Sequence, residues 1–435
     1  KIQISNLKMK LQNSKLLNSK FFKVLYSSKK KGSKARLGEI KTFHGKIKTP
    51  SFVAVGTKGT VKSILPSLLK EIGTQVAFVN TYHLVTHPGV EVIEKAGGIH
   101  QYANLNIPLM SDSGGFQVFS LAKSKNSGSK FLSSVNSSPF KSEGSSNIHF
   151  RKNFSPSFFD QKPALIKISD DGVKFRSVFD GEVLEFTPEK SIEYQKKIGA
   201  DIMMAFDECI SYGVSYEYTK EATERTHRWL IRCITKVKSQ KSKVKTKTQN
   251  YKTDQYLYGV IQGGVFEDLR KKSAEFVVSQ NTDGVAIGGV SVGESKKEMR
   301  EQVAWVSPFL PEDRPVHLLG VGEFDDILDL VKYGIDTFDC VEPTRLARMG
   351  VMYKIQTSKF KIEKIDILKG IYRKDLSKVE ENCDCFVCQN FTKSYLHHLF
   401  KNRELLAYTL ATYHNLFVME KFFTWIRKMI ERDLI

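Results

Sequence analysis

The chain has 435 residues, 41% of them hydrophobic and 26% charged, a balance that supports a sizeable core and excludes a fibrous or wholly disordered protein. Lys and Arg number 67 against 47 Asp and Glu, a formal net charge of +20 that points to a polyanionic partner, most simply nucleic acid. No apolar run approaches the length of a membrane span, so no membrane partner is expected.

The first 38 residues contain no Asp or Glu and many Lys, Ser and Asn. Residues 1–34 therefore read as a basic N-terminal extension, disordered or serving as a transit segment, which leaves organellar targeting open beside a cytoplasmic location. Six cysteines, three of them within 383–388, do not make a secreted disulfide framework and favour a reducing compartment.

From residue 35 the chain settles into a beat of short apolar runs that end in polar or Gly residues. The runs are SFVAVG (51–56), TQVAFVN (74–80), PLMSDSGG (108–115), DIMMAFDE (201–208), LYGVIQGG (257–264), GVAIGG (284–289), VHLLGVG (316–322) and TFDCV (337–341). Segments such as KSILPSLLKEIG, EKSIEYQKKIG and FEDLRKKSAEFVV lie between them and carry apolar residues at helical spacing. Eight such units predict an α/β protein built on a (β/α)8 TIM barrel over residues 35–382. An open parallel sheet is disfavoured, because no Gly-rich phosphate fingerprint follows the first strand. Between the third and fourth strands, LIKISDDGVKFRSVFDGEVLEF (165–186) has two Asp-Gly turns between alternating residues, which predicts a small antiparallel β insertion. Two polar stretches look inserted: 121–160 holds twelve Ser in forty residues, and 236–252 holds seven Lys and no acid. Both read as solvated loops, and they carry part of the positive charge.

In barrels of this type the chemistry gathers at the C-terminal ends of the strands. Asp112 and Ser113 stand there on the third strand, Asp207, Glu208 and Cys209 on the fourth, and Gln262, Gly263 and Gly264 on the fifth. Gly288 and Gly289 end the sixth, and Asp339 and Cys340 the eighth. An Asp at a strand end often only caps the next helix. Carboxylates from three strands, with an amide and bare Gly backbone between them, favour a site. Asp and Gln match the donor and acceptor edge of a purine-like base, and Gly lets backbone groups approach a flat ring. A further carboxylate can attack a sugar C1′ while another moves protons to and from the base. The His residues show no comparable constellation.

Cys383, Cys385 and Cys388 form a C-x-C-x-x-C run suited to one soft metal, for which Zn2+ takes four ligands. His397, His398 and His414 are candidates for the fourth, with Cys340 a distant outsider. Four protein ligands make a structural site, which defines a zinc-binding helical subdomain over 383–435.

Together these motifs resemble the tRNA-guanine transglycosylases, the queuine tRNA-ribosyltransferase family, in its bacterial form. The likeness covers residues 35–434 apart from the two insertions. It rests on HGKIKTPSFVAVGTKGTVK (44–62), NTYHL (80–84), SDSGGFQV (111–118), AFDEC (205–209), YGVIQGG (258–264), AIGGVSVGE (286–294), HLLGVG (317–322), FDCVEPTRLAR (338–348), CDCFVC (383–388), YLHHLF (395–400) and TYHNL (412–416).

The resemblance implies roles by position. Asp339 matches the nucleophile and Asp112 the general acid/base. Asp207, Gln262 and Gly289 match groups that hold the base edge, with Ser113 and the Val290 backbone beside them. Phe116 and Leu319 match the pair that sandwiches the ring, where bacterial members often carry Tyr and Met. Arg345 and Arg348 match residues that recognise the anticodon loop, and His414 joins Cys383, Cys385 and Cys388 as the zinc ligand set. The implied reaction exchanges the first anticodon guanine of GUN tRNAs (those for Asp, Asn, His and Tyr) for a 7-deazaguanine by double displacement, with one structural Zn2+ per chain and a homodimer as the working form. Cys209 and Val292 make the bacterial-like combination, which implies preQ1 as the incoming base in preference to queuine. The alternatives are a queuine-incorporating enzyme and a non-catalytic tRNA-binding subunit. The presence of both Asp112 and Asp339 counts against the second.

Overall fold

The computed structural model describes residues 21–116, 164–177, 180–243, 255–356 and 361–435. The Ser-rich stretch 121–160, residues 1–20 and residues 244–254 lie outside them.

Three antiparallel strands come first: β1 (Phe22–Ser27), β2 (Arg36–Thr42) and β3 (Gly45–Thr49), in that order across the sheet. β1 lies inside the extension expected to be disordered, and its burial alternates along FKVLYS as a one-sided strand requires. Acid-free composition describes the charge of this segment and hides its period of two.

The eight apolar runs each form a parallel strand of one closed barrel. They are β4 (Ser51–Val55), β5 (Ala77–Val79), β6 (Leu109–Ser111), β10 (Ile202–Met204), β11 (Tyr256–Ile261), β12 (Gly284–Ile287), β13 (Val316–Leu318) and β14 (Thr337–Cys340). Closure is made by β14 on β4, with Thr337 opposite Ser51 and Cys340 opposite Ala54. Both faces are covered, so these strands read as continuous apolar runs. Alternation sorts their side chains: Val53, Phe78, Met110, Met204, Tyr258 and Val260 pack inside the barrel, whereas Phe52, Ala54 and Val79 pack outward against helices. Phe21, Phe22, Ile40 and Ile47 join the interior cluster, and Phe21 stacks on Tyr256 at the start of β11. The first sheet therefore plugs the N-terminal end of the barrel.

The expected meander is present as β7 (Ala164–Ser169), β8 (Gly172–Arg176) and β9 (Val183–Phe186). Its buried Phe186 lies against the loop after β6. A Cβ on Gly114, whose φ is +83°, would sit 2.5 Å from the Phe186 ring. The helix Tyr216–Lys243 runs through the first part of the 236–252 stretch. That part is helical where a loop was expected, because Lys and Gln are good helix formers.

The C-terminal unit is knitted into the barrel. The helix Leu405–Glu431 lays Phe423 against Phe52 of β4 and Phe338 of β14. Asn415 on the same helix accepts from the Tyr353 N–H and donates to the Pro343 and Val351 carbonyls. Tyr353 and Val351 belong to the hairpin β15 (Val351–Gln356) and β16 (Lys361–Asp366), which meets this helix from outside the 383–435 span. Among the described residues no helix is long and apolar enough to cross a membrane.

Candidate active site

The C-terminal strand ends converge as the barrel geometry requires. Asp112 follows β6 and is clamped by neighbouring backbone and amide groups: Oδ1 accepts from the Thr81 N–H (2.7 Å) and the Gly114 N–H (3.2 Å), and Oδ2 from the Asn80 amide. Ser113 Oγ donates to Asp207 Oδ1 (3.1 Å), and Gln262 Nε2 donates to Asp207 Oδ2 (2.7 Å). Ser191 Oγ donates in turn to the Ser113 carbonyl (2.8 Å), which ties the β6 loop to the helix Pro188–Ile198. Burial lifts the Asp207 carboxyl to about 6, against the Gln262 and Ser113 hydrogen bonds that favour its anion, and the nearby Asp112 charge adds to the rise. Glu208, next in sequence, is committed elsewhere: it pairs with Arg225 and accepts from Tyr218 Oη (2.6 Å).

Gly288 and Gly289 lie flush against the Gln262 amide. A Cβ on Gly289 would come within 2.2 Å of Gln262 Oε1, and its φ of +59° also suits glycine. Beneath them, the fully buried Arg270 donates to the carbonyls of Gly264 (2.7 Å), Gly288 (2.6 Å) and Gly289, and to Gln302 Oε1 (2.8 Å). Burial lowers its guanidinium only to about 10, so it stays charged at neutral pH. Val290 and Val292 are buried, and the Glu294 carboxylate holds the loop by accepting from the Ser291 and Val292 N–H groups. Val292 lines a small cavity with Ile210, Tyr212, Gly264 and Gly289. Burial pushes the neighbouring Cys209 thiol up to about 12, so it is no nucleophile.

Asp339 stands in β14. Its Oδ1 lies 3.0 Å from the Gly320 N–H that donates to it and 3.2 Å from His317 Nε2. Leu319 is half-buried between these partners and the barrel interior, and Phe116 is 44% exposed on the rim. Arg345 and Arg348 lie on the helix Glu342–Arg348, Arg345 exposed and Arg348 half-buried. Lys58 and Lys62 belong to the same rim. Burial first, then the charges of Arg348, Lys58 and Arg345, lowers the Lys62 ammonium, and burial with Lys58 and Lys62 takes His83 to about 4. These like charges crowd one another, a local field suited to an anion.

Sequence reasoning missed Asn80, His317 and Arg270. His317 corrects the expectation that no His joins the strand-end groups. It sits mid-strand in an apolar run, where one sequence does not tell which face a residue takes. Asn80 and Arg270 act through local hydrogen bonds that leave no spacing pattern.

Away from the mouth, Cys383, Cys385, Cys388 and His414 are all buried and place their ligand atoms within 4.8 Å of one another. His414 Nδ1 lies 3.5 Å from Cys385 Sγ and 3.4 Å from Cys388 Sγ. Its Nε2–H donates to the Tyr353 carbonyl (2.7 Å), which leaves Nδ1 as the ligand atom. Hydrogen bonds from the neighbouring Cys383 and Cys388 thiols favour the Cys385 thiolate. This donor set can hold a metal ion. His397 and His398 stand outside this group: His397 Nδ1 lies 2.8 Å from the Ile367 carbonyl, and His398 faces Asn402.

A family model described as "Queuine tRNA-ribosyltransferase" matches residues 30–161 and 153–435. Similar curated proteins carry the same name. One from Aquifex aeolicus is 42% identical over 403 residues, 92% of this chain and 93% of its own length. Another, from Natranaerobius thermophilus, is 40% identical over 401 residues, 92% of each chain. A third, from Bacillus licheniformis, is 38% identical over 399 residues, 92% of this chain and 89% of its own. Carboxylate, amide and glycine groups gathered at the mouth of a TIM barrel, a Cys3His cluster and these matches agree: the chain belongs to the queuine tRNA-ribosyltransferase family and is a tRNA-guanine transglycosylase.

Proposed function

We propose that the enzyme exchanges the first anticodon guanine of GUN tRNAs for preQ1 by double displacement. The observation that supports this most is the division of labour among three carboxylates. Asp207 is buried and bonded to Gln262 and Ser113, as a base-edge receptor should be. Asp112 is fixed by Asn80 and Thr81, and Asp339 presents a carboxylate held through one oxygen.

The flipped guanine enters between Phe116 and Leu319, with its edge on Asp207, Gln262 and the Gly289–Val290 backbone. Asp339 attacks C1′ as the bond from C1′ to the base nitrogen breaks, and Asp112 delivers a proton to the departing base. An aspartyl ester of the tRNA remains. The incoming deazaguanine gives its ring N–H proton to Asp112, attacks C1′, and Asp339 leaves as carboxylate. Two inversions give retention, and no redox or nucleotide cofactor is consumed. Arg345 and Arg348, with Lys58 and Lys62, meet the anticodon-loop phosphates. Zn2+ is the ion we assign to Cys383, Cys385, Cys388 and His414, one per chain and structural, because all four positions are filled by protein. Homodimerisation is part of the proposal, since a single mouth covers little of a tRNA.

Asp339→Asn keeps the shape and removes the nucleophile. It should abolish base exchange while tRNA binding persists. Trapping of a denaturation-resistant protein–tRNA adduct checks this, and equal adduct from the Asn variant would sink the assignment.

A further inference from the structure

We infer that His317 is a positioning residue that selects which oxygen of Asp339 attacks; this rests on the reading of Asp339 as nucleophile. β13 and β14 pair in parallel with His317 opposite Thr337. Thr337 and Asp339 are two apart on β14 and share its inward face. His317 is fully buried there, with Phe78 stacked at 5.8 Å between ring centroids to hold the imidazole plane. Nδ1 lies 2.9 Å from Thr337 Oγ1, and Nε2 lies 3.2 Å from Asp339 Oδ1.

The chemistry of the partners sets the tautomer. A carboxylate only accepts, so Nε2 carries the hydrogen and Nδ1 accepts from the Thr337 hydroxyl. The Gly320 N–H donates to the same Oδ1 at 3.0 Å. Two donors therefore fix one oxygen, and among the described residues Oδ2 accepts no hydrogen bond. Oδ2 is thus the oxygen that forms the bond to C1′ as the bond from C1′ to the base nitrogen breaks. Oδ1 becomes the carbonyl oxygen of the ester without losing either donor. When the second base displaces the ester, its electron pair returns to a carboxylate already surrounded by those donors, and no proton leaves His317 in either step.

Two substitutions separate this role from packing. A glutamine side chain at this position is long enough to reach Asp339, so His317→Gln keeps a donor on Oδ1. The shorter side chain of His317→Asn reaches only Thr337. With preQ1 and a GUN tRNA, H317N should slow covalent adduct formation by about ten- to a hundredfold, the usual loss of one hydrogen bond to a charged group. KM for tRNA should stay within about twofold, and H317Q should recover most of the rate. Adduct formation by H317N at the wild-type rate, or equal loss in both variants tracking their melting temperatures, overturns the proposal. Should H317N not fold, Thr337→Val, which keeps the volume and removes the hydroxyl, carries the test: an unchanged adduct rate overturns it. Asp339→Asn run beside them keeps the two readings apart. Adduct from D339N defeats the nucleophile assignment, whereas a dead D339N control with a fully active H317N defeats only the role of His317.

Discussion

Asp207 is a strand-end carboxyl whose charge depends on pH in the mildly acidic range. Its folded pKa of about 6 lies above the ~3.9 of an unfolded Asp. Between those values the folded protein keeps a proton that the unfolded chain releases, so this group's contribution to stability falls as pH rises from about 4 to 6 and is flat above. On the proposed assignment base recognition runs the other way, because only the anion accepts from the donor edge of guanine. Guanine affinity should weaken by about tenfold per pH unit below 6 and level off above it, read by calorimetry from pH 5 to 8. Constant affinity across that range would remove Asp207 from the base edge. On the proposed assignment, Val292 sets a second limit near the base site, reached through Gly289. It lines the small cavity beside Gly289 and its loop is clamped by Glu294, so it yields little to the ring substituent of queuine. Overpacking of that kind costs about 1–3 kcal/mol, and Val292→Gly should raise kcat/KM for queuine about tenfold or more over the wild type. No gain in the Gly variant would count against a steric gate.

At the scale of elements, the strand ends are legible because a run such as IMMAFDE changes character at one point, and that point is the barrel mouth. Asp112, Asp207, Gln262 and Asp339 can be picked out in that way. Partners from other elements cannot: which residue meets Oδ1 of Asp339 depends on the register of β13 against β14, and register is a property of the closed sheet. The Lys-rich 236–243 segment and β1 escape a reading from composition for a related reason, since composition reports solvent exposure of one face and says nothing of the backbone. The cysteine run is legible as a metal site, but its fourth ligand is not, because His397, His398 and His414 stand on two helices whose faces only packing decides. Cys385→Ser should therefore lower metal content and melting temperature together, since ion binding and the fold of this unit are one equilibrium. Elemental analysis with a full ion in the variant would contradict the ligand set.

For the whole molecule, a buried ion pair helps to fasten the plug under the barrel. Arg36 donates to Asp336 (Nε 3.0 Å to Oδ1, Nη2 2.6 Å to Oδ2) and to the carbonyls of Pro311, Glu312 and Arg314. Asp336 also accepts the Val316 N–H at the foot of β13 (2.8 Å). Arg36→Met leaves that carboxylate buried without its cation and should cost about 3–5 kcal/mol, a fall that thermal or urea unfolding would show. A loss under about 1 kcal/mol would mean the pair is better solvated than its burial implies.

The same plug is stitched to residues that lie far along the chain. Tyr26 Oη donates to Asp433 Oδ1 (2.9 Å), the Lys29 N–H to the same oxygen (2.6 Å), and Ser28 Oγ to the Ile435 carbonyl (2.6 Å). These partners are separated by more than four hundred residues, 407 for Tyr26 and Asp433. A ribosome delivers the chain from one end, so β1 emerges well before the barrel and its fastening well after it. Until then β1 is held by its pairing with β2 and by Phe21 and Phe22 in the barrel interior, without these three hydrogen bonds. Closing this end of the barrel therefore couples residues 26–29 to residues 433–435, so the first sheet and the segment after the last helix settle together.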